Sequence, residues 1–483
     1  MTYDLRLTTY DSLWTKTELL QALSGELLQH NLPDDLIIDE VVIDSRKAKK
    51  NSLFIAIKGE KNDGHDFLAE VANNGCKLAL IHDPQFFNDL RLTTYDLRLI
   101  LVKNTFSALY SLAKFSRKRS SAKIIAITGS VGKTGTKEML KLLFDTQGET
   151  FATTGNLNNH FGVPLSLCNF SHDCEFGIFE MGMNHLGEIE PLSKLVNPHL
   201  ALITNVGPAH IEFFKNEEEI ALAKSEIFSG IFDGGSVLIN RDNKHFEFLK
   251  KQAQSYAIKD QNILSFGEKN PSDYQIIRFT TSSPNNSIVE AKFKNNSKIY
   301  YEISTSHPAT IFNSIIAIAC LDLLGNDLNK GLSALKNLKT YDGRGNVREI
   351  KIGEKNITII DDSYNASLLS MRAGLDHAMN LKNILGKKRV IAALGDMREL
   401  GEKSVELHDE VANYLAQLHI DFALLVGENM TAAAKKLPKN SYKTFPDSSA
   451  AALEIKDFLS DGDILYVKGS RGMRMEKIIE KIV

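Results

Sequence analysis

The chain has 483 residues, 43% hydrophobic and 24% charged, with a formal net charge of −3. That is enough chain for about three domains, in a globular composition lacking the basic field that a nucleic-acid binder needs. Four scattered cysteines, Cys76, Cys168, Cys174 and Cys320, form no Cys-x-x-Cys pair, which argues against a zinc ribbon and a disulfide framework.

The N-terminal Met-Thr-Tyr-Asp-Leu-Arg-Leu has no apolar signal core, and a cytoplasmic protein is expected. Leu-Arg-Leu-Thr-Thr-Tyr-Asp occurs at 5–11 and again at 90–96. Two copies fall short of the three units a repeat architecture needs, so the duplication reads as a small insertion. Short strands are predicted at 41–43 and 53–57 among helical stretches. The basic segment 114–123, with Arg117, Lys118 and Arg119 beside serines, reads as a solvated connector and gives the first domain boundary.

The next strand runs Ile125-Ala126-Ile127-Thr128 into Gly129-Ser130-Val131-Gly132-Lys133-Thr134. A strand entering a glycine-rich turn that ends in Gly-Lys-Thr is a phosphate cradle. Backbone N–H groups and the following helix N-terminus point at an anion, Lys133 reaches the terminal phosphates, and the Thr134 hydroxyl can hold Mg²⁺. The usual loop has glycine five positions before Gly132, where this chain has Ile127, so the loop is a shortened form. In the helix that follows, Met139, Leu140 and Leu143 share an apolar face, with Lys137, Glu138 and Lys141 expected in solvent.

Apolar runs at 176–179 and 200–203 end in Glu180 and in Thr204-Asn205, with His210 beyond. Strands alternating with helices imply a parallel sheet whose ligands sit beyond the strands' carboxyl ends. Glu180 and His210 offer ligands for a divalent cation, and His210 reads equally as a structural histidine after Gly207-Pro208. Lys224 lies in an amphipathic helix, 217–227, where an exposed lysine is expected. The run 311–324 is interrupted by Asn313, Ser314 and Asp322, so it does not read as a membrane span. Turn-rich residues 340–346 give the second boundary, and four strands follow at 357–360, 390–394, 423–426 and 464–467. Asp361-Asp362, at the end of the first of these, could bind ribose hydroxyls or metal, or cap a turn.

Several stretches, taken together, resemble the Mur ligases, ATP-dependent amide-forming enzymes of peptidoglycan precursor synthesis. They are the shortened loop, Asp44-Ser45-Arg46, Asp63-Gly64-His65-Asp66-Phe67, Thr154-Gly155-Asn156-Leu157-Asn158-Asn159, Glu180-Met-Gly-Met-Asn-His185, Asp361-Asp-Ser-Tyr-Asn-Ala366 and Leu394-Gly-Asp-Met-Arg-Glu-Leu-Gly401. The last two are most similar to the member that joins D-Ala-D-Ala to UDP-MurNAc-tripeptide. The resemblance implies an α/β protein of three domains: a small α/β UDP-substrate domain at 1–118, a central P-loop ATPase-type parallel sheet at 119–338, and a C-terminal Rossmann-like domain at 339–483 that closes on ATP and dipeptide.

The resemblance also implies site residues. Gly129, Ser130, Val131, Gly132, Lys133 and Thr134 would cradle the ATP phosphates, Asn313 would contact adenine, and Arg344 and Asp362 would address the nucleotide. Thr134, Glu180, His210 and a carbamylated Lys224 would hold two Mg²⁺ ions, with Lys133, His210 and Lys224 catalytic. Ser45, Arg46, Asp63, Gly64 and His65 resemble the uridine-nucleotide site, and Thr154, Asn156, Asn158 and Asn159 the loop that meets the muramoyl peptide. Ser470-Arg471-Gly472 falls near the dipeptide. The implied partners are UDP-MurNAc-tripeptide and D-Ala-D-Ala, with no nucleic acid and no integral membrane contact, for a monomeric enzyme. His307-Pro308 departs from the His-Asn usual in the family before Asn313. A kinase or nucleotide switch would share the phosphate loop, but would leave Lys224 and the first domain without a purpose.

Overall fold

The computed structural model describes residues 12–30, 32–34, 36–87, 97–339 and 343–483; both copies of the duplicated heptapeptide and the first part of the predicted 340–346 linker lie outside them. The protein is a three-domain α/β structure with its strands in three sheets. Its residues group into two compact units, one of 1–124, 149–181 and 191–197, the other of 125–148, 182–190 and 198–483.

In the first unit a five-stranded sheet runs in the order Leu27–His30, Arg98–Val102, Leu78–Ile81, Ser52–Ile55, Glu40–Val42. The first pair is antiparallel and the rest are parallel. The Ser52–Ile55 and Leu78–Ile81 strands are buried throughout, the apolar signature of parallel strands covered on both faces. Val42, Phe54, Val71, Ala79 and Leu101 share one core cluster. This unit also holds a parallel pair of strands, Thr150–Ala152 with Phe176–Glu180.

The basic segment is not a solvated connector. It is the end of a 15-residue helix, Thr105–Arg119, and its arginines are anchored. Arg117 donates from Nε to Val196 O at 2.6 Å and from Nη2 to Asn197 O at 3.0 Å. Arg119 lies 4.4 Å over the Trp14 ring and pairs with Glu18 at 3.0 Å. A guanidinium carries a flat apolar face and forked donors, so it satisfies carbonyls that a lysine would leave bare.

The strand Lys123–Thr128, which enters the second unit at Ile125, and the strands Leu200–Ile203, Ser236–Asn240, Ile263–Gly267 and Tyr274–Ser283 pair in parallel in that order. Two antiparallel strands, Asn286–Lys292 and Lys298–Ile303, extend the sheet. The helix Pro308–Leu323 is buried nearly all round, which accounts for its apolar run without a membrane. No helix among the described residues is long and apolar enough to cross one. The third sheet runs Asn346–Ile352, Lys355–Asp362, Ile464–Lys468, Val390–Gly395, Phe422–Val426, Tyr442–Phe445, antiparallel only at its first pair.

Candidate active site

The phosphate loop links the Lys123–Thr128 strand to the Lys133–Phe144 helix. Two glycines are required. Gly132 caps the helix at φ +85°, and a Cβ on Gly129 would fall 1.9 Å from Thr204 Oγ1. Thr204, at the end of the neighbouring strand, donates from that oxygen to Val131 O at 2.6 Å. Ser130 N–H donates to Asn205 O at 2.8 Å, and its hydroxyl donates to Gly207 O at 2.9 Å. The adjacent strand end therefore moulds the cradle. Lys133 folds back over it, donating to Gly129 O at 2.6 Å.

Asn313, on the Pro308–Leu323 helix, lies over the first turn of the phosphate helix. Its side-chain amide stands 3.3 Å from where a Cβ on Gly132 would be and 3.0 Å from one on Gly135. His307 caps that helix, and Pro308 occupies its first turn, where the missing N–H costs nothing. Met139, Leu140 and Leu143 are buried as expected, but Lys137 is fully buried rather than in solvent, 3.0 Å from Glu138. A cation one turn behind Lys133 cannot be recognised as buried from helical periodicity alone.

Lys224 also departs from the exposed lysine its helix suggests. It sits in the last turn of Glu217–Ser225 at 2% exposure. Burial, with the nearby Lys133 ammonium adding to it, pushes its pKa well below the usual lysine range. His210 itself sits in the left-handed region at φ 61°. Burial and the charges of Lys133 and Lys224 lower its pKa against the opposing pull of Glu399, whose Oε2 lies 2.5 Å from Nδ1. One neighbourhood thus holds Lys133, His210 and Lys224.

In the first unit, Glu180 ends the Phe176–Glu180 strand at 2% exposure. Its Oε1 accepts from Asn158 Nδ2 at 3.0 Å, while Oε2 is buried with no hydrogen-bond partner. A buried carboxylate oxygen left bare is costly, and a bound cation is the usual remedy. Asn159 Oδ1 accepts from Gly162 N–H at 2.9 Å, holding the turn before Gly162–Cys168, while Thr154 and Asn156 are exposed. Ser45 donates to Glu70 at 3.0 Å, and Arg46, exposed, forks onto Asp44 at 2.9 and 2.7 Å. Gly64 has no room for a side chain, with Ile57 N 2.7 Å from a Cβ there. His65 is buried; its Nδ1 lies 2.6 Å from Asp63 Oδ1 and its Nε2 accepts from His82 N–H at 3.1 Å.

In the third sheet Asp362 Oδ2 accepts from the buried Lys468 at 2.7 Å and from Tyr466 OH at 3.3 Å. Its neighbour Asp361 makes the turn cap, through Ser363 Oγ at 2.6 Å. Arg344 stacks 4.1 Å over Tyr364, and Arg471 lies 5.4 Å over the same ring. Ser470 Oγ accepts from Arg398 N–H at 2.9 Å, and Gly472 lies under the Arg398 guanidinium. Thr204, Glu399 and Lys468 drew no role from the sequence; Thr204 and Lys468 end strands, and Glu399 stands in a glycine-bounded loop.

The chain matches the Mur ligase family catalytic domain over 37–117, the Mur ligase middle domain over 127–321 and the Mur ligase glutamate ligase domain over 343–471. It is 33% identical to the UDP-N-acetylmuramoyl-tripeptide–D-alanyl-D-alanine ligase of Rickettsia prowazekii, covering 97% of this chain and 99% of that one. Among solved structures it is similar to MurF from Acinetobacter baumannii, with a TM-score of 0.83 and 30% identity over 97% of this chain and 98% of that one. It is also similar to a MurF ligase from Thermotoga maritima in complex with ADP, with a TM-score of 0.77 and 28% identity over 93% and 98% of the two chains.

Proposed function

The chain belongs to the Mur ligase family, and from that membership we propose that it joins D-Ala-D-Ala to UDP-MurNAc-tripeptide with ATP, giving UDP-MurNAc-pentapeptide, ADP and phosphate in peptidoglycan precursor synthesis. The observation that carries this reading is similarity to ligases of that specificity along 97% of the chain, first sheet included. A kinase or switch would need only the phosphate loop. On this reading the divisions are 1–118, 119–338 and 339–483, and the enzyme is a cytoplasmic monomer.

A carboxylate is a poor acyl donor, so the reaction runs in two steps. An oxygen of the peptide carboxylate attacks the γ-phosphorus and ADP leaves, giving an acyl phosphate. The dipeptide amine then attacks the acyl carbon, phosphate departs, and the amine nitrogen loses a proton. Lys133, turning from Gly129 O, follows the charge on the transferred phosphoryl group. Asn313 holds the first helical turn and faces the adenine, while Arg344 and Asp362 address the rest of the nucleotide.

The side chains suit Mg²⁺ one by one: the Thr134 hydroxyl at the cradle, His210 with a lowered pKa that favours a neutral ring, and Glu180 with one bare oxygen. Mg²⁺, when bound, neutralises phosphate charge. Lys224 suits carbamylation, because burial pushes its pKa down and the neutral amine so favoured adds to CO₂, releasing a proton, and becomes an anion fit for a second cation. Ser45, Arg46 and the Asp63 turn serve the uridine nucleotide, and Thr154, Asn156, Asn158 and Asn159 the muramoyl peptide. The test is phosphate release from ATP and Mg²⁺ with UDP-MurNAc-tripeptide. Release that depends on D-Ala-D-Ala supports the ligase, and release indifferent to it rejects this specificity.

A further inference from the structure

His210 and Glu399 are both non-glycine residues in the left-handed region, at φ 61° and 62°, a conformation that persists only when the surroundings impose it. They come from different sheets' loops. His210 precedes the Ile211–Phe213 turn, and Glu399 lies in the loop after the Val390–Gly395 strand. The backbones are seated together: Glu212 N–H faces Glu399 O at 3.5 Å, and Gly401, at φ 52°, has no room for a Cβ against Glu212. The side chains meet with Glu399 Oε2 2.5 Å from His210 Nδ1. The contact is close but poorly aligned, so Nδ1 is buried without a full hydrogen bond; catalytic hydrogen bonds often straighten only when substrate is bound.

We propose that Glu399 is a positioning residue that fixes the tautomer and orientation of His210, so that a side chain of the third sheet's loop completes a group of the central sheet's site. A carboxylate oxygen set against Nδ1 accepts, so the ring proton is held on Nδ1. Nε2 then keeps its lone pair, and among the described residues it takes no hydrogen bond. The other titratable groups facing His210 are Lys133 and Lys224; an ammonium has no lone pair to take the Nδ1 proton, and Glu399 is the group that stands against that nitrogen. The carboxylate behind a ligating imidazole sets which nitrogen faces a cation, and losing such a partner costs about 10- to 100-fold in metal affinity. This inference rests on the reading of His210 as a Mg²⁺ ligand for its consequence, but not for the tautomer itself.

The experiment uses Glu399→Gln, which keeps the shape and can donate to Nδ1, and Glu399→Asp, which keeps the acceptor. Nitrogen-15 spectra of the histidine rings in the full-length protein, without metal, report the His210 tautomer, with His210→Gln giving the assignment. Mn²⁺ titrated into the ADP-loaded protein, read by electron paramagnetic resonance, reports affinity. Expected are an Nδ1–H tautomer in the unaltered protein and in Glu399→Asp, loss of that preference in Glu399→Gln, and Mn²⁺ binding weakened about 10-fold or more by Gln and less by Asp. An unchanged tautomer in Glu399→Gln overturns the proposal. A Glu399-dependent tautomer in a protein that shows no dipeptide-dependent turnover would instead reject the ligase reading and leave the positioning role standing.

Discussion

Two lysines near His210 show how burial, more than residue type, decides chemistry. Lys133 is half-exposed and donates to a backbone oxygen, Gly129 O, and the role proposed for it is to follow the transferred phosphoryl group. Lys224 is shut away from water, where holding a charge costs several kcal/mol, and its amine is driven toward neutrality. Replacing Lys133 with Met is expected to lower kcat about 100- to 1,000-fold, the range for losing one preorganised electrostatic contact, with the melting temperature little changed. Steady-state kinetics beside a thermal melt checks both halves. For Lys224 the expected signature is dependence on dissolved CO₂: activity falls in buffer stripped of CO₂ and returns with bicarbonate, and Lys224→Arg has no such response. A CO₂-independent rate in the unaltered enzyme removes the carbamate from the account.

At the scale of elements, the phosphate loop is held by its neighbour. Gly129→Ala drives a methyl into Thr204 Oγ1 and asks a side chain to sit at φ 154°. We expect it to cost about 1–3 kcal/mol of stability, the range for a strained backbone position, and to abolish measurable nucleotide binding. Chemical denaturation and ADP titration test the two together. A second element-level device is the histidine pair where the Pro308–Leu323 and Leu368–Leu385 helices meet. His307 and His377 lie ring to ring at 4.7 Å, and three of their four ring nitrogens are buried without a partner. The fourth, His377 Nε2, is 2.9 Å from Ser306 Oγ. Burial lowers both pKa values. Below the ordinary histidine pKa of about 6.5 the unfolded chain therefore binds protons that the folded one refuses. Stability is complete above that pH and falls as pH drops toward the folded values. Melting temperatures from pH 8 to pH 5 should show the decline, and His377→Gln should make it shallower.

The sequence exposed those parts of this architecture that short-range pattern controls. Strands 200–203 and 390–394 were legible because parallel strands read as apolar runs, and the cradle because its glycines and lysine stand together. The antiparallel strands Asn286–Lys292 and Lys298–Ile303 were not, since their half-exposed faces mix charge with apolar residues. Lys137 and Lys224 escape the sequence for one reason: helical periodicity ranks residues by polarity, and a lysine turned inward breaks the rule by which the inward face is found. The basic 114–123 segment failed in the same way, because arginines that serve carbonyls and a tryptophan look like solvent-facing charge. Glu399 depends on a contact 189 residues away from His210, which no local pattern carries.

For the molecule as a whole, three α/β sheets joined in one chain make sense for a reaction with three substrates and an intermediate that water destroys. A nucleotide that binds only the folded state should raise its stability by about 2.7 kcal/mol at a concentration 100 times its Kd, so ADP with Mg²⁺ should raise the melting temperature in a concentration-dependent way. The most direct test of the central claim is to supply ATP, Mg²⁺, D-Ala-D-Ala and UDP-MurNAc-tripeptide whose acyl-donor carboxylate carries oxygen-18, and to weigh both products. The account predicts a UDP-muramoyl product heavier by one dipeptide less water, and one labelled oxygen in the released phosphate for each bond made. Phosphate released without label, or a muramoyl peptide that never gains the dipeptide, would contradict it.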